Sequence, residues 1–129
     1  MSTFRQAVES ADFEAVRDLL AEDVVFTSPA VFLPYPGKAI TLAILRNVFE
    51  VFQDFRYIRE VVSADGRDEV LVFQATVGDK QIEGADFIRL NEDGKISEFT
   101  VMVRPLSGLQ ALAEAMGARF EQIKKDAGF

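Results

Sequence analysis

The period of the apolar positions changes along the chain. Up to Ala21 they fall at helical spacing, at Phe4, Val8, Phe13, Val16, Leu19 and Leu20, with an interruption at Ser10-Ala11-Asp12. That spacing predicts two short helices. Asp12 is placed to cap the second, its carboxylate accepting amide hydrogen bonds at the positive end of the helix dipole. Val24-Val25-Phe26-Thr27 reads as one short β-branched and aromatic strand ending at Pro29. The loop from Pro29 to Gly37 holds three of the four prolines and is more apolar than a solvated connection, so it is expected to cover something. From Lys38 to Asp54 the helical pattern returns, with Ile40, Ile44, Val48, Val51, Phe52 and Phe55 on one side and Leu42, Leu45 and Phe49 on another. So wide an apolar surface predicts a long helix enclosed by a curved sheet.

Beyond it the period falls to two. Arg56 to Ala64, Glu69 to Val77, Lys80 to Leu90 and Ile96 to Arg104 are strand-like, and Asp65-Gly66, Gly78-Asp79 and Asp93-Gly94 supply the turns of an antiparallel meander. In the third run Ile82, Gly84, Asp86, Ile88 and Leu90 share one face, while Glu83, Ala85, Phe87 and Arg89 share the other. A one-residue slip would expose the first set together, so Asp86 is expected inward and Phe87 outward. Leu109, Leu112, Ala113, Met116, Phe120 and Ile123 then mark a closing amphipathic helix over about Ser107 to Lys125, with Ser107 as its N-cap. The order predicts an α+β fold: a strongly curved antiparallel sheet wrapped around a long helix, with N-terminal helices and a C-terminal helix. Residues 1–129 read as a single domain.

Composition narrows the chemistry. A chain that is 49% hydrophobic and 27% charged is globular, and no apolar run approaches the roughly 20 residues of a membrane span. The first residues lack a basic segment followed by an apolar stretch, so no secretory signal is visible and a cytoplasmic location is expected. There is no cysteine and no histidine. Thiolate nucleophiles, thiolate metal sites and imidazole bases are therefore excluded, and any catalysis rests on Asp, Glu, Tyr, Lys or Arg. No motif points to a cofactor or a metal. A net charge of -7 repels phosphate backbones and anionic membranes, which argues against nucleic acid or a membrane as partner.

Three segments carry a family resemblance. They are Ala11-Asp12-Phe13-Glu14-Ala15-Val16 through Leu20-Ala21-Glu22-Asp23-Val24, then Pro36-Gly37-Lys38-Ala39-Ile40, and Gly84-Ala85-Asp86-Phe87-Ile88-Arg89-Leu90-Asn91-Glu92-Asp93-Gly94-Lys95-Ile96. Over nearly its full length the chain resembles the nuclear-transport-factor-2-like superfamily, in particular its SnoaL-like and ketosteroid-isomerase-like members. The resemblance implies a cone-shaped fold with an interior pocket. It leaves the chemistry open, since isomerases, cyclases, epoxide hydrolases, dehydratases and non-catalytic domains share the fold. In the steroid isomerases an aspartate base follows the first strand, and a first-helix tyrosine and a protonated aspartate form the oxyanion hole. Matched without gaps from Asp12, Ser28 falls at the base and Phe4 at the tyrosine, and only Asp86 keeps the family's residue type. That departure argues against steroid isomerisation by the known mechanism. What remains is closer to the SnoaL-like cyclases, in which one aspartate serves as acid and base.

Asp86 is accordingly the candidate catalytic residue, an inward carboxyl among Ile82, Ile88 and the long helix whose pKa burial would raise. Its plain structural alternative is an aspartate anchored by a neighbouring hydrogen bond. Phe4, Ser28, Phe32, Tyr35, Val48, Phe52, Ile88 and Val101 are the candidate ligand contacts, with Phe32 and Tyr35 forming a lid. Packing explains the apolar ones equally, and Ser28 suits a local cap. Arg56, Tyr57 and Arg59 read as a polar strand face, and Asp65, Arg67, Asp68 and Glu69 as a solvated hairpin. The expected partners are a hydrophobic small molecule and a second copy of the chain, paired through the outer sheet face that carries Ala85 and Phe87. Two readings of function stand open: an isomerase- or cyclase-type enzyme using one buried acid, and a binding protein or interaction module without chemistry.

Overall fold

A computed structural model describes residues 2–129. Helices α1 (Thr3–Glu9) and α2 (Phe13–Leu19) open the chain. The Ser2 hydroxyl accepts from the Arg5 amide at 3.3 Å and the Asp12 carboxylate from the Ala15 amide at 3.1 Å, so each helix has its N-cap. Strand β1 (Leu20–Thr27) follows α2 without a loop. It starts earlier than Val24 because Leu20 already pairs with Ile96, and an irregularity then re-sets the register so that Val25 meets Glu98. A two-residue strand β2 (Tyr35–Pro36) folds back on it, with Tyr35 opposite Phe26.

Helix α3 (Lys38–Val51) is the long element enclosed by the sheet. It stops before Asp54, because Phe52 is already extended and Asp54 takes a left-handed φ of 53°. Phe55 therefore reaches the interior from a strand, not from the helix. The meander is β3 (Gln53–Val62), β4 (Asp68–Val77), β5 (Lys80–Leu90) and β6 (Ile96–Arg104), all antiparallel. Strand order is β2-β1-β6-β5-β4-β3. Since β1 pairs with β6 in parallel, the sheet is mixed and not wholly antiparallel as expected. The chain between those strands is long enough to return in either direction, and a local turn does not fix it.

Across β4, β5 and β6 the register sets Leu71, Asp86 and Val101 side by side on the concave face. Asp86 is 5% exposed and its neighbour Phe87 39%, the alternation the sequence requires. Helix α4 (Leu106–Ala118) starts one residue before Ser107, with Pro105 at its N-cap position and the Pro105 carbonyl accepting from the Leu109 amide at 2.9 Å. Ser107 is thus inside the helix and not its cap. The expected single closing helix breaks at Arg119 into α4 and α5 (Phe120–Asp126). Arg119 and Asp126 both bond Asn47 of α3, at 3.1 and 2.9 Å, and Arg119 also pairs with Glu50. These contacts clip the C-terminal helices across the open end of the cone. No helix among the described residues is long and apolar enough to cross a membrane.

Candidate functional site

Between α3, the concave sheet face and the C-terminal helices lies a cavity of about 310 Å³, within the size range of small-molecule sites. Its wall is aromatic. Phe52, Phe55 and Phe73 meet with ring centroids 5.2 to 5.6 Å apart, and Phe26 lies 5.7 Å from Phe99. The polar side chains that reach it are those of Ser28, Tyr35 and Asp86.

Asp86 sits mid-strand, where the β4 and β6 ladders fix its backbone and its carboxyl faces the apolar wall and α3. Burial alone pushes its carboxyl up to about 8. No lysine or arginine lines the cavity to offset the cost of ionising it, so near neutral pH the folded protein holds it largely as the neutral acid. A neutral carboxyl in a largely apolar cavity can donate a proton or hydrogen bond to a ligand oxygen, and its ionised minority can accept a proton.

The other sequence candidates divide. Ser28, Tyr35, Val48, Phe52 and Val101 line the cavity together with Asp86. The Ser28 hydroxyl also accepts from the Ala30 amide at 3.1 Å, turning the loop at the cavity's edge. Phe4, Phe32 and Ile88 lie outside the wall. Phe4 is fully buried behind it, its ring edge-on to Phe99 at 5.1 Å. Ile88, two residues beyond Asp86 on the same face, packs opposite Phe99 in the closed part of the core. Phe32 is 94% exposed at the apex of the loop, because Tyr35 and Pro36 are drawn back onto β1 and leave residues 32 and 33 projecting.

Tyr57 is the residue that sequence reasoning placed on the wrong face. It shares the inward side with Phe55, two residues earlier, and is 7% exposed; its hydroxyl has no hydrogen-bond partner among the described residues. Burial first and the charge of Asp86 second push its phenol upward, and the Arg5 guanidinium lies 5.5 Å from its ring centroid. The period-two spacing of Phe55 and Tyr57 was the available signal, masked by the arginines on either side.

A family model for the SnoaL-like domain matches residues 2–99. A steroid delta-isomerase from Pseudomonas aeruginosa superposes with a TM-score of 0.87 and 45% sequence identity, covering 92% of this chain and 87% of the other. A bacterial protein with a cystatin-like fold from Silicibacter pomeroyi has a TM-score of 0.84 and 35% identity over 96% of this chain and 91% of its own. At the level of fold alone, an NTF2-like protein from Cytophaga hutchinsonii superposes with a TM-score of 0.60 and 20% identity over 80% and 85% of the two chains. No curated protein matches the sequence. With the matched model covering most of the chain and the fold agreeing, this protein belongs to the SnoaL-like family of the nuclear-transport-factor-2-like superfamily.

Proposed function

We propose that the protein is a proton-transfer enzyme acting on an apolar, carbonyl-bearing small molecule, with Asp86 as its single acid and base. The observation that carries this reading is the Asp86 carboxyl: buried, raised to about 8, and facing a largely apolar cavity. In its ionised form Asp86 takes the proton from the carbon beside the carbonyl. The neutral acid so formed returns that proton, to a different carbon in an isomerisation or to oxygen in a cyclisation, so no co-reactant is consumed. A conjugate acid near 8 is well matched to such transfer close to neutral pH. The relative described as a steroid delta-isomerase supports carbonyl-adjacent chemistry as a class. Ser28, where the resemblance implies a separate carboxylate base, favours a one-acid cycle over the two-group one.

Ligand binding without turnover is the second reading, favoured by the same Ser28 and by the aromatic character of the wall. The two separate on one probe. In D2O the protein should accelerate exchange of the protons beside the carbonyl of 2-tetralone, an apolar bicyclic ketone, and Asp86→Asn should abolish the acceleration while retaining binding. Binding of 2-tetralone with no exchange above the buffer rate would leave a binding protein.

A homodimer paired through the convex sheet face is also proposed. Two cross-strand apolar rows, Val61-Val70-Phe87 and Val72-Ala85-Met102, lie on that face, with Val61, Phe87 and Met102 exposed. Pairing two such faces would remove them from water.

A further inference from the structure

Buried polar groups in a folded chain are ordinarily hydrogen-bonded. In this protein the Ser2 hydroxyl donates to Glu69 at 2.7 Å, the Thr41 hydroxyl to the Gly37 carbonyl at 2.8 Å, and the Asn47 amide to Ala43 and Asp126. Among the described residues the Tyr57 hydroxyl has no such partner, and burial is what pushes the Asp86 carboxyl up. Both rise from the same concave face and flank one strand: Tyr57 stands opposite Phe73 of β4, and Asp86 stands opposite Leu71, two residues away on the same side. One is a donor without an acceptor among the described residues, and the other becomes an acceptor once it gives up its proton.

We propose that Tyr57 is the positioning residue for Asp86, its hydroxyl being the donor that meets the carboxylate once the acid has given up its proton. This deepens the acid–base reading of the cavity and rests on it. The need is chemical. When Asp86 transfers its proton to a ligand, a bare carboxylate is left among phenylalanines, with no cation on the cavity wall. A hydrogen bond from a phenol stabilises that conjugate base and makes the proton easier to release. Tyr57 is not part of the cavity lining. It works from behind Phe55 and Phe73, with the Phe55 ring edge-on to its own at 4.9 Å.

The groups that face Tyr57 fit this role. From α1 come Arg5, over its ring, and Glu9; Arg5 is itself bound to Glu9 and to Glu60, each at 3.3 to 3.4 Å. From β4 come Phe73 and Leu71, which are apolar, and from β5 comes Asp86. The Arg5 cation over the ring disposes the phenol to donate, while Glu9 and Asp86 oppose its ionisation. Tyr57 therefore stays protonated and serves as a donor, and proton transfer itself remains with Asp86.

The test follows the Asp86 carboxyl by NMR in full-length protein with carboxyl-labelled aspartate, assigned with Asp86→Asn. Tyr57→Phe should raise the Asp86 midpoint by about one pH unit, the loss of one hydrogen bond to a charged group. A second variant changes the donor without removing it. In a Tyr35→Phe background Tyr57 is the one remaining tyrosine, and 3-fluorotyrosine incorporation then makes it a stronger donor, which should lower the midpoint. Shifts of opposite sign support the assignment. An unchanged midpoint in Tyr57→Phe, or, should that variant not fold, in the fluorinated protein, overturns it. Because the titration needs no turnover, absence of exchange on 2-tetralone would count against the enzyme reading alone.

Discussion

A β-carbon on Gly84 would lie 2.4 Å from Cζ of Phe73 and 2.9 Å from the Met102 carbonyl oxygen. The glycine two residues before Asp86 is thus what lets the Phe73 ring lie flat across β5 and form the cavity wall. Gly84→Ala must displace either the ring or the β5–β6 ladder, and overpacking of that kind costs about 2 kcal/mol. Denaturant melts should show that loss, and 2-tetralone affinity should fall with it.

Asp86 makes stability depend on pH with a definite sign. Its folded pKa, about 8, lies above the ordinary 3.8, so the folded state holds the proton more tightly than the unfolded one. The contribution is fully present below pH 3.8 and is lost as pH rises to about 8. Over that window the wild type should lose stability relative to Asp86→Asn at up to about 1.4 kcal/mol per pH unit. The variant should then be the more stable protein at alkaline pH. Paired denaturant melts at several pH values measure the difference; a variant that loses stability at neutral pH and recovers on acidification would mark Asp86 as an ionised structural anchor.

Filling the cavity should separate binding from folding. Val101 is half-buried on its wall beside Asp86, and Val101→Phe grows into open space. The expected stability change is below about 1.5 kcal/mol, with affinity for 2-tetralone reduced about tenfold or more. Calorimetry reads both.

Much of this arrangement was legible in the sequence, and the misses share a cause. Alternation from Ile82 to Leu90, bounded by Gly78-Asp79 and Asp93-Gly94, was enough to set Asp86 inward, because local turns fix antiparallel register. The parallel pairing of β1 with β6 depends on chain segments some seventy residues apart, as at Phe26 and Phe99, and no local pattern encodes it. Phe32 was expected at the ligand on the strength of its apolarity, yet the pull of Tyr35 back onto Phe26 leaves it in solvent. Tyr57 was hidden by Arg56 and Arg59: an irregularity in β3 between Tyr57 and Arg59 breaks the simple alternation around it.

Phe32 gives a control. At 94% exposure it contributes little to folding, so Phe32→Ser should change stability by no more than about 0.5 kcal/mol. A larger loss would mean that the loop packs elsewhere in solution.

The convex face gives a prediction on assembly. Sedimentation should report twice the 14.4 kDa chain mass at micromolar concentration, and Phe87→Glu with Met102→Glu should return it to the monomer. A wild type already monomeric would remove the dimer.

The central claim is that Asp86 is held as a neutral acid on the wall of an apolar cavity. The most direct measurement is the carboxyl ¹³C titration of Asp86 in the ligand-free wild-type protein. A midpoint raised far above 3.8, toward 8, is expected. A midpoint near the ordinary 3.8 would mean that the carboxyl is solvated or paired in solution, and the proton-transfer role assigned to it would fall.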